Sequence, residues 1–146
     1  MHYGWPVRSA AVVVAGAYFF AGLAKLVNSG PAWVTSDNMR WILYAAGDSD
    51  FALFIADRPW LAHLAAAGTL ALELGFPLVL WRAWTAWLFV PGAVSLHVAI
   101  WLAMGLDYSA QAATVVIVLT NWPAVADWTR RRVRGPWSPS PDARWA

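Results

Sequence analysis

One lysine, Lys25, and one glutamate, Glu73, stand in a chain of 146 residues. Both fall in long apolar runs, as do His63 and His97. Ionisable groups in such surroundings are costly, so they face protein or water and mark candidate functional positions. An amine with little water around it is a candidate general base. Its long stem can equally carry the charge out to a membrane surface. His97 can donate to a ligand oxygen or bond a neighbouring helix. His63 has the simpler reading, a structural role near water. Glu73 needs a proton or a partner. Tyr18, His97 and backbone groups are its candidate partners, and a proton relay or quinone contact is the functional alternative.

Helical spacing puts Tyr18, Ala21, Gly22 and Lys25 on one face. Ala67, Ala71 and Gly75 form a second small-residue stripe continuing from His63. Packing of the two stripes would bring Lys25 near His63 and leave Glu73 facing the first or third apolar segment. Other chemistry is excluded. The chain has no Cys, and no glycine-rich phosphate loop, HExxH motif or serine elbow occurs. Three scattered histidines make a poor ligand set, so no metal site is expected.

The elements that must hold these residues are membrane helices. Hydrophobic residues make up 60% of the chain and charged residues 12%, and mean hydropathy is +0.50. Soluble domains run near 45–50% apolar and about 25% charged. An ordinary soluble domain, a disordered chain and a nucleic-acid binder are therefore excluded. Four segments approach the roughly 17–25 apolar residues a span requires: 6–27, 59–81, 83–104 and the shortest, 110–126. Arg8 before an apolar run, with Gly22-Leu23-Ala24 after it, weakly resembles a cleavable signal. We read the segment as a span. The expected fold is all-α and polytopic: a domain over 1–129 with four transmembrane helices and an interfacial helical loop over 28–58. A basic, Pro-rich tail follows over 130–146.

Charge orients this arrangement. Arg130, Arg131, Arg132, Arg134 and Arg144 lie in the tail, on the side of Arg8 and Arg82. The loop sets Asp37, Asp48, Asp50 and Asp57 against Arg40 and Arg58, and Asp107 adds a negative charge on that side. Both termini are expected to be cytoplasmic, in an inner-membrane, multi-pass protein. The 12 tryptophans suit aromatic belts at the two interfaces. Trp81, Trp84, Trp87, Trp122 and Trp128 fall on the inner side, and Trp33, Trp41 and Trp60 on the outer. Trp101 lies deeper and is expected to pack inside. In the loop, Ser36 or Asp37 is placed to cap a helix through Ala45, with Met39, Ile42 and Leu43 on one face. Phe51, Leu53, Phe54 and Ile55 form a second apolar patch.

Two blocks resemble a known family. Tyr18-Phe-Phe-Ala-Gly-Leu-Ala-Lys25-Leu26, followed by Trp33, is similar to a motif of the vitamin K-dependent gamma-carboxylase family. The broader bacterial group is the horizontally transferred transmembrane, or HTTM, domain. Leu72-Glu73-Leu74-Gly75-Phe76-Pro77, the basic turn at Arg82, Ser95-Leu96-His97 and Met104-Gly105-Leu106 continue the likeness over roughly 15–125. The resemblance implies Lys25 as the base toward a hydroquinone and His97 in the same active-site region, with a quinone or hydroquinone as cofactor. Family enzymes have further helices before the lysine block and a large extracytoplasmic domain, so the likeness implies a shortened core. A weaker resemblance is to four-helix membrane proteins of the DoxX and MauE type.

Two functions follow as expectations. The first is a non-catalytic accessory subunit of a larger respiratory or photosynthetic membrane complex. Its partners would be membrane lipids and other integral membrane subunits, with no nucleic acid. The second is a carboxylase- or epoxidase-like enzyme with Lys25 as base and His97 stabilising oxyanion charge. Glu73 would hold the histidine, with Tyr18 and His63 as further polar candidates.

Overall fold

The computed structural model describes residues 5–46 and 49–120, and every regular element among them is helical. Helix α1 runs over Trp5–Ser29, with Pro6 in its first turn, where no intrahelical N–H is missed. It stops because Gly30 adopts a left-handed conformation, φ 56°, while its N–H bonds Leu26 O at 2.8 Å. That is the usual chemistry of a glycine-terminated helix.

The expected interfacial loop is a compact helical cap of α2 (Ala32–Thr35), α3 (Asn38–Ala45) and α4 (Asp50–Ala56). Asp37 holds the N-cap position of α3 without a side-chain cap bond, and Ser36 supplies the local oxygen. Ser36 Oγ accepts from the Asn38 N–H at 3.3 Å, whereas the Asp37 carboxylate turns to Arg40 at 3.0 Å. Ser49 caps α4 and donates to Leu102 O at 2.6 Å, which ties the cap to a later helix. Arg40 Nε reaches Ala56 O at 2.8 Å. Leu43, Ala52 and Ala56 are buried together with Ala103, with Met39 and Ile55 against them. Of the apolar patch expected from Phe51, Leu53, Phe54 and Ile55, the first three are exposed and Ile55 packs against this cluster.

Helix α5 (Pro59–Gly75) begins on a proline at its first position, where no intrahelical N–H is missed. Pro77 interrupts the same apolar column, and α6 (Leu78–Trp81) continues it. A 3-10 turn over Ala83–Thr85 reverses the chain, clamped by Thr85 Oγ1 donating to Leu78 O and Arg82 O. Helix α7 (Ala86–Met104) ends on Gly105, φ 67°, and α8 (Ser109–Leu119) follows.

The main core lies at the end of the bundle away from the cap. Ala11 and Ala15 of α1 meet Phe76, Val79, Phe89, Ala93 and the α8 residues Val115 and Leu119. Among the described residues, three segments are long and apolar enough to cross a membrane: Trp5–Ser29, Pro59–Trp81 and Ala86–Met104. Only 17%, 22% and 17% of their apolar windows are buried. A helix apolar on all sides but little covered by protein is built to meet lipid. The fourth expected span is represented by the 11 residues of α8, which closes at an extended Thr120. The remainder of that segment lies outside the described residues, as do Asp48, Trp122, Trp128 and the basic tail.

Candidate functional site

Two polar pairs cross the bundle, both anchored on one face of α1. Lys25 Nζ donates to both carboxylate oxygens of Glu73, at 2.6 and 2.7 Å. Two turns earlier on α1, Tyr18 OH meets His97 Nε2 of α7 at 2.6 Å. Seven residues separate Tyr18 from Lys25, about 10 Å along the helix axis.

The ion pair forms because α1 and α5 approach very closely. A Cβ on Gly22 would lie 2.9 Å from Glu73 Cβ and 3.1 Å from Leu74. The α5 residues turned inward are Ala62, Ala66 and Glu73, with Phe76 after them. This is not the row expected from the small residues. Ala71 is exposed, and Gly75 packs on Phe89 of α7, not on α1. The true contact row is offset by one residue, so it carries Glu73 into the interface and gives Lys25 a carboxylate. His63 stays outside the pair, ten residues or about 15 Å along α5 from Glu73, and its Nε2 is buried without a partner.

Aromatic rings complete both pairs. The Lys25 ammonium lies 5.3 Å from the centroid of the Trp33 ring, a cation–π distance. Trp33 was expected in the outer belt. Its indole Nε1 is instead buried and unpartnered. Tyr18 stacks on Phe76 with centroids 4.1 Å apart and planes 7° apart. Tyr108 stacks on His97 at 5.6 Å and 26°. The Tyr18–His97 bond admits two arrangements, the phenol donating to Nε2 or the Nε2–H donating to the phenol oxygen. With the phenol donating to Nε2, Nδ1 carries the hydrogen, and that atom is buried with no partner.

His97 also lines a cavity of about 430 Å³ together with Val98, Trp101, Asp107, Tyr108, Ser109 and Ala112. Lys25 and Glu73 are absent from its walls. Trp101, expected in the interior, is 54% exposed beside this cavity. Asp107 accepts the Ser109 N–H at 2.8 Å. That backbone bond holds its carboxyl below the usual carboxylate range. The one-dimensional pattern marks Asp107 only as an outer-side charge and does not mark Tyr108. They join the site because Gly105 turns α8 back along α7.

Among the described residues, no group of three His, Cys, Asp or Glu is placed to hold a metal ion. No protein-family model, curated protein or solved structure matches the chain. Among the described residues, the fold is all-helical, with three helices of membrane-crossing length and composition.

Proposed function

We propose that the chain is a small inner-membrane protein, a shortened gamma-carboxylase-like core that acts as a non-catalytic accessory subunit of a larger membrane complex. In this reading α8 belongs to a fourth span over 110–126, both termini are cytoplasmic, and the α2–α4 cap lies in the outer interface. One observation carries the choice. The single lysine donates to both oxygens of the single glutamate. An ammonium held in that salt bridge has no lone pair for proton abstraction. A buried ion pair of this kind suits a packing role between helices, where each charge answers the other's need for a partner.

The enzyme alternative needs Lys25 and His97 to converge on one hydroquinone. The two residues are instead held in separate pairs, and the cavity beside His97 has no wall from Lys25. The residues present do not fit that substrate arrangement.

The test is purification of the tagged chain from its native membrane in a mild detergent, followed by mass measurement and an oxygen-uptake assay with added hydroquinone. Stoichiometric co-purifying membrane polypeptides and no uptake are expected. A chain that runs alone and consumes oxygen in a Lys25-dependent manner overturns the reading.

A further inference from the structure

The cavity beside α7 and α8 is chemically ordered from rim to floor. At the rim stands Asp107, exposed, its carboxylate oriented by the Ser109 N–H. Among the described residues no lysine, arginine or histidine lies within ion-pair distance of it. The cavity also holds the exposed ring of Trp101 and the ring of Tyr108. A carboxylate next to aromatic faces is the arrangement that recognises an organic ammonium. Deeper lies His97, eight residues or about 12 Å below the Gly105 turn. Its Nε2 is engaged by Tyr18, and its Nδ1 has no partner. With Tyr18 donating to Nε2, Nδ1 is a buried donor without a partner, and a ligand oxygen would supply one.

We propose that this cavity binds an aminophospholipid. The alkylammonium of its headgroup rests on Asp107 against Trp101 and Tyr108, and a deeper ester or phosphate oxygen accepts from His97 Nδ1. The polar order of the cavity and that of the lipid run in the same direction. Anionic lipids without an amine meet a carboxylate at the rim and are disfavoured. Exposed Val98 at the cavity wall provides apolar surface for the start of an acyl chain. This goes beyond the accessory-subunit reading and is independent of it, because binding is measured on the isolated chain.

The experiment is native mass spectrometry of the full chain in a maltoside detergent. It is titrated with phosphatidylethanolamine, with phosphatidylglycerol, and with free phosphoethanolamine. One phosphatidylethanolamine is expected to be retained with about tenfold preference over phosphatidylglycerol, a ratio equal to about 1.4 kcal/mol. Free phosphoethanolamine is expected to bind far more weakly. Asp107→Asn keeps an oxygen for the Ser109 N–H while removing the charge, and is expected to abolish the preference. Trp101→Leu alters an exposed ring and is expected to weaken retention several-fold, so the proposal does not rest on one variant. Equal retention of the two lipids, or an unchanged preference in Asp107→Asn, overturns the proposal. Binding of free phosphoethanolamine as tight as the lipid overturns its lipid identity.

Discussion

Lys25 of α1 and Glu73 of α5 neutralise each other across the close α1–α5 contact, at 2.6 and 2.7 Å. The Glu73 side chain is only 8% exposed and that of Lys25 22%. Removing either partner leaves the other charge with little water. Lys25→Met or Glu73→Gln is therefore expected to cost about 3–5 kcal/mol. The double variant Lys25→Met/Glu73→Leu should recover most of that loss, because an apolar pair needs no compensation. Thermal or denaturant unfolding in detergent reads both. A double variant as unstable as the worse single one would contradict the pairing.

Gly22 is the steric condition for that contact. Adding a methyl group there meets Glu73 Cβ at 2.9 Å, so Gly22→Ala should destabilise by about 1–3 kcal/mol. Gly68→Ala is the control. Nothing lies within 4 Å of a Cβ at that helical position, and the change should stabilise by up to about 1 kcal/mol. The opposite signs distinguish close helix approach from helix propensity.

Tyr18→Phe removes the hydrogen bond to His97 Nε2 but keeps the stack on Phe76. A loss of about 1–3 kcal/mol is expected, since a buried ring nitrogen is left without a partner. Unfolding of Tyr18→Phe, His97→Phe and the double variant would measure the coupling. Additive losses would remove the bond from the account.

The absence of cysteine makes topology directly measurable. Single substitutions Asp57→Cys in the cap and Ser109→Cys after α7 should react with an impermeant maleimide added to intact cells. Ser138→Cys in the tail should react only after permeabilisation. Labelling of Ser138→Cys from outside would invert the proposed orientation or change the number of crossings.

The Asp107 carboxyl lies below its usual range because it accepts a backbone N–H. Its contribution to the turn is therefore fully present above the ordinary value near pH 3.9, and is lost as pH falls through the lowered one. Lipid preference should accordingly hold from about pH 8 to about pH 5 and fall only below about pH 4. The Asp107→Asn variant should show no such dependence. Native mass spectra across that range check both.

Some of this architecture is legible residue by residue. Gly30, Pro59, Pro77 and Gly105 punctuate the chain where helices end, begin or break. Their effect is local, so it needs no tertiary information. The apolar runs announce membrane-length helices for the same reason. The lone Lys25 and Glu73 stand out as costly groups in apolar surroundings.

Which partner each polar group takes was decided only by the fold. A helix that is apolar on all sides has no amphipathic stripe to reveal its buried face. The row through Ala67 and Ala71 and the row through Ala62, Ala66 and Glu73 are equally plausible on paper. Close approach at Gly22 selects the second row, which gives Lys25 a carboxylate and leaves His63 aside. The Gly105 turn then brings Tyr108 and Asp107 back beside His97 and Trp101. Composition and local breakers settle where the helices are. Their pairing rests on steric fit between faces of nearly equal hydrophobicity, and only three-dimensional packing can express that difference.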